Sequence, residues 1–160
     1  MEILVRNNMQ PGDLGQIVAL HGTYYHAENG FDETFEPYVA IPLAEFVLRK
    51  SNTEKIWIVE YENQVKGCIA IVKADENTGQ LRWYVLDKSI QGLGYGKELI
   101  DAAIEFAWQA GYSKIVLWTI SEQEKAISIY KKYGFKLVTQ ESTELWGKIV
   151  NEQCYELVRN

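Results

Sequence analysis

Two hydrophobic periods alternate along the chain. Apolar residues recur at three- and four-residue steps in some stretches and at every second position in others, and each switch marks an element boundary. Ile3 to Arg6 is a short strand candidate closed by the turn-rich NNMQPGD. Asp13 is placed to cap a helix in which Leu14, Ile17, Val18 and His21 follow helical spacing. The stretch HGTYYHAENGFDETFEPYV is aromatic and acidic with no clean period, and reads as a loop running into a second helix, from about Phe35 to Arg49. That helix would bury Val39, Leu43, Phe46 and Val47, with Pro42 as a kink site inside it.

From Ile56 the period changes. Ile56–Tyr61, Val65–Lys73 and Gln80–Leu86 are three β-rich runs separated by the tight polar turns ENQ and DENTG, an antiparallel meander. QGLGYG follows, then an amphipathic helix with Leu99, Ile100, Ala103, Ile104, Phe106 and Ala107 on its apolar stripe and Gly111 as its stop. Ile115–Ile120 is nearly continuous apolar sequence, as a central strand would be. A helix over Gln123–Tyr133 ends at Gly134. Two strands, Phe135–Gln140 and Val150–Val158, are joined by ESTELWGK. The order β-α-α-β-β-β-α-β-α-β-β, without repeat, linker or low-complexity tract, predicts one α/β domain over residues 1–160.

Composition adds exclusions. The chain has 160 residues, with 47% apolar and 24% charged, which suits a single core. Sixteen Lys and Arg against 22 Asp and Glu leave a net charge of −6. That is the wrong sign for general nucleic-acid binding and mildly attractive to cationic or neutral partners. Cys68 and Cys154 lie in strand-like apolar runs and read as reduced, buried thiols. The N-terminal MEILVRNNMQPGD carries charges where a signal peptide needs its apolar stretch, and no apolar run is long enough to span a bilayer. A cytoplasmic location with no membrane partner is expected. His21 and His26, five apart, do not share a helix face, and no metal site is expected.

Residues 91–98, QGLGYGKE, place three glycines at alternate positions before a lysine. A P-loop would need Gly at Gln91 and Ser or Thr at Glu98. The dinucleotide fingerprint puts Lys97 at its last glycine and expects a βαβ setting rather than a meander. Gln91-Gly92-Leu93-Gly94-Tyr95-Gly96 instead fits Q/R-x-x-G-x-G/A between a strand and a helix, where successive N–H groups and the helix N-terminus form a pyrophosphate nest. Downstream, AISIYKKYGF fits A-x-x-x-Y-x-x-x-G-F. The two motifs and their order resemble the GCN5-related N-acetyltransferase (GNAT) family. Over roughly residues 24–158, GFDETFEPYVAIPLAEFV, LRWYVLD, AGYSKIVLWTISE and LWGKIVNEQCYEL are similar to the acetyltransferase half of bacterial MarR-type regulator fusions. No helix-turn-helix precedes them, so a stand-alone version is expected.

The resemblance implies a fold and a chemistry. The fold is a single domain with a mixed, mostly antiparallel central sheet of about seven strands and four helices. The co-substrate would be acetyl-CoA, with no metal, and the partner a small-molecule or peptide amine. Gln91, Gly92, Leu93, Gly94, Tyr95, Gly96 and Lys97 would hold the pyrophosphate. The backbone N–H of Leu86 would meet the thioester carbonyl, and the pantetheine arm would enter a splay between Gln80–Leu86 and Ile115–Ile120. Tyr130 would be the general acid, protonated at neutral pH with a pKa of about 10, and Tyr133 a packing residue. Gln123 stands where the family commonly carries a cofactor-contacting Asn.

The acceptor side is more open. Glu33 and Phe35, with Arg82, Trp83, Trp118 and Trp146, are candidate acceptor-pocket residues. The acidic cluster would suit a cationic amine, whereas Arg82 would suit a carboxylate. The third meander strand has no carboxylate, so the base candidates are Asp32, Glu33, Glu36, His26, Tyr84 through a water, or a water chain alone. Family members often pair through late strands, which leaves a homodimer through Val150–Val158 and a monomer both open. Two rival classes are a non-catalytic acyl-CoA sensor, which needs no proton donor, and a protein binding ATP or NAD.

Overall fold

A computed structural model describes residues 2–160. Its elements follow the expected order. They are β1 (Ile3–Arg6), α1 (Asp13–Asn29), α2 (Phe35–Arg49), β2 (Lys55–Tyr61), β3 (Gln64–Lys73), β4 (Thr78–Leu86), α3 (Tyr95–Gln109), β5 (Lys114–Ile120), α4 (Glu124–Lys132), β6 (Lys136–Leu145) and β7 (Lys148–Val158). The strands form one sheet in the order β1-β2-β3-β4-β5-β7-β6. Every neighbouring pair is antiparallel except β4 with β5.

Strand alternation splits the core into two layers. Trp57, Val59, Ile69 and Ile71 pack on one face with Leu99, Ile100, Ala103 and Ala107 of α3 and Ile127 and Tyr130 of α4. Ile56, Ile58, Cys68 and Ala70 pack on the other with Ile17 of α1 and Phe35, Val39, Leu43 and Phe46 of α2. The β2 and β3 runs are buried on both sides, which is why their sequence is almost continuously apolar.

Three expectations are corrected. His21–Asn29, read as loop, continues α1, and only residues 30–34 connect it to α2. Its buried stripe is carried by His21 and half-buried Tyr24 and Tyr25 rather than by aliphatic residues, and glycines at 15 and 22 dilute the helical signal. Gly22 has a packing reason, since a Cβ there would come within 2.5 Å of the Glu36 side chain on α2. Asp13 is not the cap. Gly12 holds that position, and buried Asp13 accepts from Arg6 at 2.7 and 2.8 Å and from the Gln10 N–H at 2.7 Å, tying β1 to α1. The connection ESTELWGK contracts to the turn Trp146-Gly147, with φ of 53° and 84°. Two positive φ values make it a primed hairpin turn, whose twist lets both strands run on to the tip.

Two irregularities of β4 shape the centre of the molecule. Cys68 pairs with Val85 and Ala70 with Arg82, so Trp83 and Tyr84 together face Ile69 in a bulge, with Trp83 at φ 53°. The parallel ladder between β4 and β5 covers only Thr78–Gln80 against Lys114–Val116. Beyond it the strands diverge into a slit, the splay anticipated between them.

Candidate functional site

The slit opens into a cleft of about 840 Å³ that continues across the ends of α1, α3 and α4. At one end the chain leaves β4 through a short 3₁₀ turn, Lys88–Ile90, and enters the glycine loop. Gly92 and Gly94 sit at φ of 78° and 95°, and a Cβ on either would meet no protein atom within 4 Å. Their side of the loop is therefore open space, reached by a backbone that L side chains rarely adopt. Gly94 is the N-cap of α3 and offers no side chain to the first-turn N–H groups, leaving donors free for an anion. Gly96 has a different reason. A Cβ there would stand 3.0 Å from the Leu86 side chain and 3.1 Å from the Tyr84 hydroxyl, so α3 docks directly on β4.

Charge follows the same layout. Lys97, Lys125 and Lys132 line the cleft beside the loop, α3 and α4, which suits an anionic ligand. Lys97 is largely exposed and paired to Asp101 at 2.7 Å. Gln91 turns its amide inward, donating to the Leu86 carbonyl at 2.9 Å and the Tyr24 hydroxyl at 3.1 Å. Leu86, Gln91, Gly92, Gly94, Gly96, Lys97, Gln123 and Tyr130 all line the cleft, whereas Leu93 and Tyr95 do not. The Gln123 amide donates to Asn29 at 2.7 Å, joining the start of α4 to the end of α1.

Tyr130 is buried and lines the cleft. Its ring lies 6.4 Å from Tyr84 and 5.7 Å, edge-on, from Phe135. Burial, with Tyr25 and Tyr84 nearby, pushes its phenol well above the usual value, so it stays protonated. Tyr84 is committed elsewhere, donating to the Gly96 carbonyl at 2.6 Å, with its pKa pushed up to about 12 by burial and then Asp101. That bond ties β4 to the start of α3. Tyr133, expected only to pack, lines the cleft and donates to Asp101 at 2.5 Å.

Phe35, Arg82, Trp83, Trp118 and Trp146 meet at the other end of the cleft; Glu33 does not line it and is exposed in the α1–α2 turn. The other carboxylate and histidine base candidates also fall outside the cleft. Asp32 bonds the Thr34 N–H and hydroxyl, His26 bonds the Phe31 carbonyl at 2.8 Å, and Glu36 packs on Gly22. Trp146 packs on Phe31, Phe35 and Tyr38 with centroids 4.8 to 4.9 Å away. Trp83 and Trp146 are both at φ 53°, costly for bulky residues and typical of functional sites. Two buried polar atoms lack protein partners at cleft residues, Trp83 Nε1 and His21 Nε2. His21 Nδ1 lies 2.8 Å from the Ile17 carbonyl, so that nitrogen carries the proton and Nε2 is an acceptor. Burial lowers the ring's pKa to about 4.

Sequence reasoning missed Tyr24, Tyr25, Tyr38 and Glu152. The first three were hidden in the segment without clean period. Glu152 is the one carboxylate lining the cleft among the described residues, and only strand register reveals it.

Comparison with known proteins places this geometry. Residues 19–135 match the Acetyltransferase (GNAT) family, and the chain belongs to that family. Human N-acetyltransferase 8B is 31% identical over 100 residues, covering 59% of this chain and 44% of that protein; the chain spans under half of that relative's length. Two solved structures share the fold. One is a Salmonella typhimurium protein described as an acetyltransferase, solved with its cofactor acetyl-CoA (TM-score 0.77, 16% identity, covering 99% of this chain and 94% of that one). The other is spermidine N-acetyltransferase from Vibrio cholerae in complex with CoA and spermine (TM-score 0.73, 19% identity, 98% and 95% covered).

Proposed function

We propose that the chain is an acetyl-CoA-dependent N-acetyltransferase, moving an acetyl group to a primary amine of a small molecule or peptide by direct transfer in a ternary complex. The observation that carries the reading is the slit itself, with the end of β4 on one lip, Tyr130 behind it and the glycine cradle at its mouth. Bound acetyl-CoA supplies an acetyl group activated as a thioester. The cradle fits it, because the open sides of Gly92 and Gly94 and the uncapped α3 N-terminus suit a pyrophosphate. The three cleft lysines add matching charge.

The residues then divide the work. The Leu86 N–H donates to the carbonyl oxygen as negative charge develops there. The neutral amine attacks the carbonyl carbon, the C–N bond forms and the C–S bond breaks. Tyr130 gives its proton to the departing sulfur and is reprotonated from solvent, while the nitrogen sheds its surplus proton to solvent. The likeness of residues 24–158 to the acetyltransferase half of MarR-type fusions is part of this reading.

Purified protein incubated with acetyl-CoA and an amine panel should release free thiol. Tyr130→Phe should lower kcat by about 10² or more with the Kd for acetyl-CoA unchanged. Intact acetyl-CoA binding without turnover of any amine would favour the sensor reading. Stabilisation by ATP or NAD in place of CoA would overturn the cofactor.

A further inference from the structure

The acceptor end holds two opposite charges that form no ion pair among the described residues. Arg82 is half-buried and pairs with no described carboxylate; its guanidinium lies 5.2 Å from the Trp83 ring centre and 5.8 Å from that of Tyr38. Glu152 is half-buried, and no described residue forms an ion pair or a hydrogen bond with its carboxylate. Burial, then the facing Glu141, raises its pKa. Partly desolvated charges left without an ion pair are costly.

Register shows how they are placed. Arg82 pairs with Ala70, and Glu152 reaches across to Ile120 on β5. Directly paired residues share a face, and Ala70 and Ile120 both belong to the layer under α1 and α2. Arg82 and Glu152 therefore project on one face from opposite lips of the slit, cation on the β4 side and anion on the β5–β7 side. Tyr38 lies within reach of both, since Arg82 lowers its pKa and Glu152 raises it against the larger upward push of burial. Phe35, Tyr38, Trp118 and Trp146 wall the space around them.

We infer that the acceptor is a zwitterion, an α-amino acid with an apolar side chain. Arg82 takes the carboxylate, Glu152 draws in the ammonium, which releases a proton to solvent before the neutral amine attacks, and the aromatic walls take the side chain. The fork of Arg82 suits a carboxylate bidentately, and holding the ligand across the lips sets its nitrogen over the slit. The inference rests on the acetyltransferase reading and narrows its acceptor class.

The test compares L-phenylalanine with phenethylamine, which lacks the carboxylate, and phenylalaninamide, which neutralises it. We expect kcat/KM for L-phenylalanine to exceed that for either by at least about tenfold, the size of one charged hydrogen bond. Arg82→Met should collapse that ratio toward one, and Glu152→Gln should raise KM for L-phenylalanine. Unchanged thermal stabilisation by acetyl-CoA would show that both variants fold. Equal or better turnover of phenethylamine, phenylalaninamide or spermine by the wild-type protein would overturn the inference while leaving the acetyltransferase reading intact. Should no amine react, calorimetric titration of the same ligands into CoA-saturated protein decides separately. L-phenylalanine binding that is lost in Arg82→Met supports the zwitterion site, and absent binding overturns it.

Discussion

Gly94 shows most directly what a single residue contributes. Its φ of 95° puts any replacement in a strained conformation although the space beside it is open. Gly94→Ala should therefore cost roughly 1–2 kcal/mol in holding the cradle's shape, raising the Kd for acetyl-CoA about tenfold, measurable by calorimetry. An unchanged Kd would mean that the loop does not bind the cofactor in this conformation. At this scale the sequence disclosed what motifs encode. The glycines follow a short-range spacing, Leu86 and Tyr130 follow from the family resemblance that the motifs carry, and all of them line one cleft. Glu33 was misjudged because proximity in sequence to Phe35 says nothing of direction, and the turn points it outward. Glu152 was illegible because its place depends on how β7 pairs with β5, a long-range fact.

Among the elements, β4 carries the site, and its neighbours are shaped to let it. Gly67 on β3 pairs with Leu86, and a Cβ there would stand 2.6 Å from the Leu86 side chain and 3.0 Å from the Val85 carbonyl. Gly67→Ala should overpack this point, costing about 1–3 kcal/mol of stability and lowering kcat more than acetyl-CoA affinity, because it shifts the strand end rather than the cradle. Melting curves and steady-state kinetics check both parts. Element order and type were readable because α3 has a strong helical period and β2, β3 and β5 are apolar runs bounded by polar turns. α1 was cut short because its second half packs with Tyr and His, which a pattern of aliphatics does not register. The last hairpin was read with a long loop because Trp146 at positive φ gives no warning in sequence that a two-residue turn suffices.

For the molecule as a whole, acid should be the weak direction. His21 holds a folded pKa of about 4 against an ordinary 6.5, because burial disfavours its cation. Above pH 6.5 both states are neutral and the native fold has its full stability. As pH falls toward 4 the unfolded chain takes up a proton that the folded one refuses, a loss of about 3 kcal/mol. Burial pushes the Asp13 carboxyl up, but its bonds to Arg6 and the Gln10 N–H bring it below the usual value. Its contribution is present above about pH 4 and is lost below that. The melting temperature should fall by roughly 6–12 °C between pH 7.5 and 4.5, and His21→Leu should flatten that slope. Asp13→Ala, which leaves half-buried Arg6 with only Glu60 and the Asn8 carbonyl, should cost about 1–3 kcal/mol at neutral pH by denaturant titration. The three-residue contact between β4 and β5 has a mechanical consequence as well. It acts as a hinge pin at one end of the seam, so the softest deformation is a twist of β1–β4 against β5–β7. A ligand wedged in the open end should lock that twist, and amide exchange along Leu81–Leu86 should slow when acetyl-CoA is bound.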